Sequence, residues 1–129
     1  MVLNIINTWG GKITSFEVSY PAYQESLQNT KEAHCYNIIN YPYDVRQAPI
    51  KKLVKAPVDF IFIDGQKSQY GEYMEIIEKI TSPHTVIVID DVIKYHNKLS
   101  SLYWYLQKKQ MNHKILQLEP DDGIMIING

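Results

Sequence analysis

The order of apolar and polar residues along the chain predicts strands that alternate with helices. Two short apolar runs, VDFIFI (residues 58–63) and TVIVI (85–89), are typical of strands buried on both faces of a sheet. Between them, over residues 70–80, apolar residues recur at the spacing of an amphipathic helix. A further helix is predicted from Asn97, which can cap it, to about Gln110.

The flanking segments continue this alternation. The predicted elements are a helix over residues 2–9 that stops at Gly10-Gly11, a strand over 12–18, a helix over 19–33, a strand over 36–40, a helical turn over 50–55, and strands over 113–118 and 123–127. We therefore expect one α/β domain, with a mostly parallel sheet and helices on both of its faces. The last two strands are expected to form an antiparallel hairpin at one edge.

The composition of the chain mainly shows which classes of function are not expected. The net charge of the 129 residues is −1, so no general basic field favours binding to nucleic acid. No apolar run approaches the roughly 20 residues of a membrane-spanning helix. The single cysteine, Cys35, cannot form an internal disulfide, and the first residues do not resemble a secretory signal. We expect a cytoplasmic protein that does not bind membranes.

Acidic residues stand at the carboxyl ends of the predicted strands. Glu17 ends one strand, Asp64 ends a second, and Asp90 and Asp91 end a third. In open α/β sheets, ligands bind beyond these strand ends, and neighbouring strands lie only roughly 5 Å apart. Carboxylates that converge there repel one another unless a positive charge lies among them. A hard divalent cation, Mg²⁺ or Ca²⁺, suits such oxygen ligands.

Lys67 follows Asp64 by three residues, after Gly65, which permits a sharp turn. A lysine at this opening can act as a general base when its pKa is depressed. Taken singly, each motif is more often an ordinary turn, a solvated strand end or a solvated lysine. Their joint placement at the ends of adjacent buried strands favours a functional site.

Four segments, in this order, resemble the S-adenosylmethionine-dependent O-methyltransferases of the catechol and caffeoyl-CoA type. They are ITSFEVSYPAY (13–23), FIFIDGQKSQY (60–70), VIVIDDVI (86–93) and EPDDGIMII (119–127), which resemble the family's second strand, fourth strand, fifth strand and closing hairpin. The resemblance covers nearly the whole chain. It implies a Rossmann-like methyltransferase sheet.

The resemblance also implies a cofactor site for S-adenosylmethionine. Glu17 would hold the ribose hydroxyls, and Asp64 would lie close to the methionyl end of the cofactor. Asp44 falls near the loop that borders the adenine in the family.

A metal site and a catalytic lysine follow from the same resemblance. Asp64, Asp90 and Asp91 would be the protein ligands of the metal, which would bind the acceptor hydroxyl oxygen and lower its pKa. Lys67 matches the lysine that takes the proton from that hydroxyl. Asp91 is a departure, because the family usually has asparagine at this position, and the extra negative charge affects the choice of metal.

A larger departure is the missing glycine-rich loop that follows strand 1 in the family. Gly10-Gly11 does not match it, because this pair precedes the segment that resembles strand 2. The family's strand order is 3-2-1-4-5-7-6, so residues 1–129 are expected to form a partial domain, truncated at the amino end. The sequence then leaves three possibilities: strands 2 and 4 pair directly, another chain supplies a strand, or the chain is a fragment of a longer gene product.

Two functions of different classes follow. The first is a metal-assisted O-methyltransferase that acts on a small hydroxylated molecule or on a modified tRNA base. The second is a non-catalytic methyltransferase-fold module that acts in binding or assembly, a hypothesis supported by the missing loop and by Asp91. A nucleic-acid-binding domain without catalysis has little support. A missing central strand also predicts self-association into a homo-oligomer.

Overall fold

The computed structural model describes residues 2–6 and 11–128 of the chain. The strands are β1 (Val2–Ile6), β2 (Ile13–Phe16), β3 (Ile38–Tyr41), β4 (Phe60–Asp64), β5 (Val86–Ile89), β6 (His113–Gln117) and β7 (Gly123–Asn128). The helices are α1 (Tyr20–Glu32), α2 (Ile50–Leu53), α3 (Tyr70–Ile77) and α4 (Ser100–Lys108). Short 3-10 turns stand at Lys67–Gln69, Glu78–Ile80 and His96–Lys98.

All seven strands form one sheet, in the order β3-β2-β1-β4-β5-β7-β6. β2 pairs in parallel with β3, and β4 pairs in parallel with β5, whereas β1 and β7 are antiparallel to their neighbours, so the sheet is mixed. The expected antiparallel hairpin at one edge is found, and β1 adds two antiparallel pairings that were not expected. The strands β2 to β5 therefore all run in one direction, and their carboxyl ends meet at one edge. This edge, which we call the site edge, is where the sequence predicts ligand binding.

The central strand β1 corrects the expected helix over residues 2–9. Residues 2–6 are extended, with Ile5 opposite Thr14 of β2 and Ile61 of β4. Residues 7–10, where the helix was expected to stop, lie outside the described part of the chain. A short apolar run suits a strand as well as a helix, and here two unpaired strand edges offer hydrogen bonds on both sides. Because β1 lies between β2 and β4, the hypothesis that these two strands pair directly is also wrong.

The helices cover the two faces of the sheet unequally. Ile61 and Ile63 of β4 are buried, in one core with the apolar residues of α2, α3 and α4. Phe60 and Phe62 point to the other face, which carries α1, and they are only partly buried. The expected burial of this strand on both faces is therefore only half correct.

Apart from the helix expected over residues 2–9, the predicted helices are found, although they begin at other residues. α1 begins after Ser19, whose hydroxyl accepts a hydrogen bond from the Ala22 amide, and proline follows in the first turn. α4 begins at Ser100 rather than at the expected Asn97 cap, because Asn97 lies in a separate 3-10 turn. None of the helices in the described part of the chain has the length and apolar character needed to cross a bilayer.

Candidate functional site

Three carboxylates meet at the site edge. Asp64 ends β4 and Asp90 directly follows β5, and the parallel register of these strands places Ile63 beside Ile89. Asp64, Asp90 and Asp91 each offer a carboxylate oxygen, and these oxygens lie within 4.8 Å of one another. Burial, together with the negative charges of Asp91 and Asp64, raises the pKa of Asp90. The structure thus brings together the three metal ligands that the sequence predicts.

Asp91 has a left-handed backbone conformation, with φ of 59°. Residues other than glycine adopt this region rarely, and aspartate is among those that tolerate it. The Asp91 amide donates a hydrogen bond to Oδ1 of Asp90 at 2.9 Å. The chain therefore turns sharply between the two carboxylates.

Lys67 lies between the carboxylates of Asp64 and Asp91. Its Nζ is 2.9 Å from Oδ2 of Asp91 and 3.3 Å from Oδ1 of Asp64, and it donates to the Tyr70 hydroxyl oxygen at 2.9 Å. Burial acts to lower the pKa of Lys67, but the hydrogen bonds to Tyr70 and Asp91 and the charge of Asp64 outweigh it and raise the pKa. Lys67 is thus an ammonium group inside the carboxylate cluster, and the depressed pKa expected of a general base at this position is not found.

Tyr70 supports this lysine and the turn that carries it. Its side chain is fully buried, and its hydroxyl oxygen also accepts a hydrogen bond from the Gly65 amide at 3.1 Å. Burial raises the pKa of Tyr70, so the phenol stays protonated. The helical periodicity over residues 70–80 predicts only a packing role for Tyr70. The signal for its supporting role was its position, three residues after Lys67 and at the start of that helix.

Glu17 lies at the site edge but outside the cluster. It directly follows β2 and is nearly buried, and its Oε1 accepts a hydrogen bond from the Ser19 amide at 3.0 Å. β1 separates β2 from β4, so two strand spacings, about 10 Å, lie between the ends that carry Glu17 and Asp64. Glu17 also lines a cavity of about 540 Å³ between α1 and the sheet, with Ser15, Asn40 and Phe62.

Asp44 is also outside the cluster, in the loop after β3. The Arg46 side chain binds both carboxylate oxygens, with Nε 3.1 Å from Oδ1 and Nη2 2.8 Å from Oδ2. This hydrogen bonding to Arg46 lowers the pKa of Asp44. Asp44 is therefore a carboxylate with a fixed orientation, and its predicted place beside an adenine stays a prediction.

Comparisons with known proteins decide the family. A family model described as O-methyltransferase matches residues 3–126. The chain belongs to the O-methyltransferase family. The resemblance that the sequence motifs indicated is thus confirmed.

Solved structures similar to this O-methyltransferase chain include enzymes with bound cofactor. The O-methyltransferase of Bacillus cereus, in complex with SAH, is 22% identical with a TM-score of 0.74, over 95% of this chain and 64% of that one. TomG of Streptomyces achromogenes, an O-methyltransferase in complex with SAM, is 15% identical with a TM-score of 0.71, over 92% of this chain and 62% of that one. At these identities the likeness shows a shared fold.

A curated relative covers less of the chain. A caffeoyl-CoA O-methyltransferase-like protein of Arabidopsis thaliana is 28% identical over 85 residues, which are 64% of this chain and 37% of that protein. The O-methyltransferase chain described here therefore spans less than two thirds of the length of these relatives.

The central strand distinguishes this O-methyltransferase chain from the arrangement that the motifs imply. The strand order agrees with the implied order 3-2-1-4-5-7-6, but β1 runs in the reverse direction. Val2 lies opposite Asp64, and Ile6 lies opposite Phe60. The strand therefore meets the site edge with its amino end, and its carboxyl end lies at the opposite edge.

The donor set of the cluster suits a hard divalent cation. Three carboxylate oxygens within 4.8 Å of one another match the oxygen ligands that Mg²⁺ and Ca²⁺ prefer. The raised pKa of Asp90 shows that its negative charge is unfavourable where it stands, which a bound cation would relieve. Lys67 already compensates part of this charge, so its ammonium competes with a cation for Asp64 and Asp91. The residues present therefore fit the metal that the resemblance implies.

Proposed function

We propose that this chain transfers a methyl group from S-adenosylmethionine to a hydroxyl oxygen, with a divalent cation, Mg²⁺ or Ca²⁺, at the carboxylate cluster. The observation that carries the proposal is the meeting of Asp64, Asp90, Asp91 and Lys67 at the carboxyl ends of adjacent parallel strands. Family membership supports the reaction class, and the relatives solved with SAH and SAM support the cofactor.

In this proposal the cofactor lies along the site edge, from the end of β2 to the end of β4. Glu17 accepts hydrogen bonds from the ribose hydroxyls, and Asp44 lies on the adenine side, beyond Glu17 in strand order. Asp64 stands near the methionyl end. Two strand spacings between Glu17 and Asp64 leave about 10 Å for the middle of an extended cofactor.

The cluster then positions the acceptor. A divalent cation held by Asp64, Asp90 and Asp91 would attract the acceptor oxygen and favour loss of its proton. Lys67 stands beside the same carboxylates, which hold it as an ammonium group. A divalent cation bound to Asp64 and Asp91 would repel this ammonium and lower its pKa, so that the resulting amine could take the hydroxyl proton. The oxygen–carbon bond forms as the carbon–sulfur bond breaks. The protein contributes mainly orientation and charge stabilisation.

Calorimetric titration with S-adenosylmethionine, with and without Mg²⁺, tests the cofactor site. We expect a dissociation constant in about the micromolar range, improved by Mg²⁺ and weakened at least about tenfold in Glu17→Ala. Glu32→Ala is the matched control, because Glu32 is exposed at the end of α1. Absence of binding to the wild-type chain under both conditions would overturn the proposal.

The acceptor is the second unknown of the proposal. We propose a small hydroxylated molecule, with a hydroxyl of a modified tRNA base as the alternative, and a cytoplasmic protein that does not bind membranes. The homo-oligomer stays a prediction, but β1 removes the missing central strand on which that prediction was based. Transfer of labelled methyl groups from S-adenosylmethionine to a panel of phenolic acceptors and to total tRNA would distinguish the acceptors. Light scattering would give the oligomeric state, and a monomer would contradict the predicted homo-oligomer.

A non-catalytic binding or assembly module is the second candidate. The reversed direction of β1 favours it, because the carboxyl end of the strand at the centre of the sheet lies at the edge opposite to the site edge. Under this candidate the chain folds but neither binds S-adenosylmethionine nor transfers a methyl group. The calorimetric titration therefore discriminates between the two candidates before any acceptor is known.

A further inference from the structure

Asp122 joins the closing hairpin to the loop that carries Asp91. It stands immediately before β7, and only 9% of its surface is exposed. Its Oδ1 accepts hydrogen bonds from the amides of Ile93 at 3.3 Å, Lys94 at 3.2 Å and Gly123 at 2.7 Å. A single carboxylate oxygen therefore binds backbone from two segments that are about thirty residues apart in sequence.

The hairpin and this loop also touch through their backbones. The Val92 amide donates to the carbonyl oxygen of Gly123 at 3.2 Å. A Cβ on Gly123 would lie 2.2 Å from the Leu116 carbonyl oxygen and 2.8 Å from Cδ1 of Ile93, so no side chain fits there. The start of β7 is thus packed directly against residues 92–94.

The loop held in this way begins at a strained residue. Asp91 has φ of 59°, a conformation that costs free energy in any residue with a side chain and persists only where its surroundings hold it. The three residues that follow Asp91 are those that the hairpin binds. Asp122 also lines a cavity of about 130 Å³ with Asp90 and Asp91, so it lies beside the carboxylate cluster.

We propose that Asp122 is a positioning residue, which holds the turn at Asp91 in the conformation that completes the carboxylate cluster. It acts through the amides of Ile93 and Lys94 and not as a ligand. The inference rests on the proposed function, because it gives Asp91 the role of a metal ligand. In the sequence, Asp122 belongs to the segment EPDDGIMII (119–127), which indicated only a closing hairpin.

Mn²⁺ binding by the full chain, followed by calorimetry, tests the inference without turnover. Asp122→Ala removes the acceptor, and we expect Mn²⁺ affinity to fall at least about tenfold, as for other groups that orient metal ligands. Asp122→Asn removes the negative charge but keeps the Oδ1 acceptor, so it should stay within about threefold of wild type. Asp121→Ala, at the exposed neighbouring position, is the control and should bind as wild type does.

Each other outcome contradicts the inference. Equal weakening in Asp122→Ala and Asp122→Asn would mean that Asp122 acts through its charge or as a ligand. Wild-type affinity in Asp122→Ala, or absence of Mn²⁺ binding by the wild-type chain, would also overturn it. If Asp122→Ala does not fold, Asp122→Glu replaces it. The longer side chain displaces the acceptor, so unchanged Mn²⁺ affinity in that variant would overturn the inference.

Hydrogen exchange supplies a local readout of the backbone that Asp122 holds. In folded Asp122→Ala, the amides of Ile93 and Lys94 should exchange faster, while those in β4 keep their protection. Unchanged protection at both amides would contradict the inference.

The inference about Asp122 and the proposed function fail in different experiments. Failure of the proposed function would appear in the wild-type chain, as absence of S-adenosylmethionine binding and methyl transfer. The inference about Asp122 is judged by the Mn²⁺ affinities of the variants.

Discussion

Lys67 neutralises the carboxylates that would bind a metal. Its ammonium contacts Asp64 and Asp91, two of the three predicted ligands, and it is held there by Tyr70. A divalent cation bound by the same oxygens would have to share or displace these contacts. The lysine therefore opposes metal binding electrostatically, even though the proposed reaction requires it.

Replacement of Lys67 by methionine separates these two effects. We expect Lys67→Met to bind Mn²⁺ about tenfold more tightly, because a competing positive charge is removed, and to lose methyl transfer, because no amine remains to take the proton. Calorimetry and the labelled-methyl assay measure the two effects. Lys98→Met, which removes an exposed positive charge outside the cluster, is the matched control. Weaker Mn²⁺ binding in Lys67→Met would contradict this account.

At the scale of single residues, the candidate site was predictable because its residues stand at or near the ends of strands. Asp64, Asp90 and Asp91 stand at the ends of apolar runs, and Lys67 follows Asp64 by three residues. The geometry of a parallel sheet brings such positions together. The supporting role of Asp122 was not predictable in this way. It depends on hydrogen bonds to backbone that is distant in sequence, and a side chain alone does not indicate which amides it will meet.

Among the elements, α3 and α4 pack so closely that Gly71 has no room for a side chain. A Cβ on Gly71 would lie 2.7 Å from the carbonyl oxygen of Ser101, and the Gly71 amide donates to the Ser101 hydroxyl at 3.1 Å. We expect Gly71→Ala to lower the free energy of unfolding by about 1–3 kcal/mol, because the helices must move apart. Urea denaturation measures this, with Glu75→Ala on the exposed face of the same helix as control. Equal stability of Gly71→Ala and wild type would mean that the helices separate freely.

The ends of the same two helices are joined by an ion pair that depends on pH. Lys109 lies 2.9 Å from Glu78, and this hydrogen bond lowers the pKa of Glu78 from 4.5. Because the folded-state pKa is the lower one, the pair stabilises the fold above about pH 4.5, and the stabilisation disappears as pH falls through the folded-state pKa.

The measurement is urea denaturation of wild type and Glu78→Gln at about pH 7 and about pH 3. Both residues are partly exposed, so Glu78→Gln should cost at most about 1 kcal/mol at the higher pH and nothing at the lower. Glu75→Gln serves as the control at each pH. A difference between Glu78→Gln and wild type that persists at the lower pH would show that Glu78 stabilises the fold by packing rather than by charge.

Most elements were predictable because their patterns were unambiguous. β4 and β5 are short apolar runs bounded by polar residues, and α3 has the periodicity of an amphipathic helix over more than two turns. β1 was not predictable, because a run of five residues suits either a helix or a strand and tertiary pairing decides between them. Its direction depends in the same way on the strands beside it.

On the scale of the whole molecule, β1 closes a sheet that would otherwise have a gap at its centre. It pairs with β2 on one side and β4 on the other, so both halves of the site edge depend on it. Glu17 stands in one half, and the carboxylate cluster stands in the other. Any cofactor that reaches from Glu17 to Asp64 crosses the end of β1.

Hydrogen exchange tests whether this closure is made within one chain. The backbone amides of residues 3–5 face β2 or β4, and we expect their protection to match that of Ile61 and Ile63 and to be independent of protein concentration. The amides of Tyr36 and Asn37, in the exposed turn before β3, are the internal control and should exchange fast. Protection of residues 3–5 that grows with protein concentration would mean that the central strand comes from another molecule. In that case the cofactor site would be complete only in the oligomer, and S-adenosylmethionine binding should weaken on dilution.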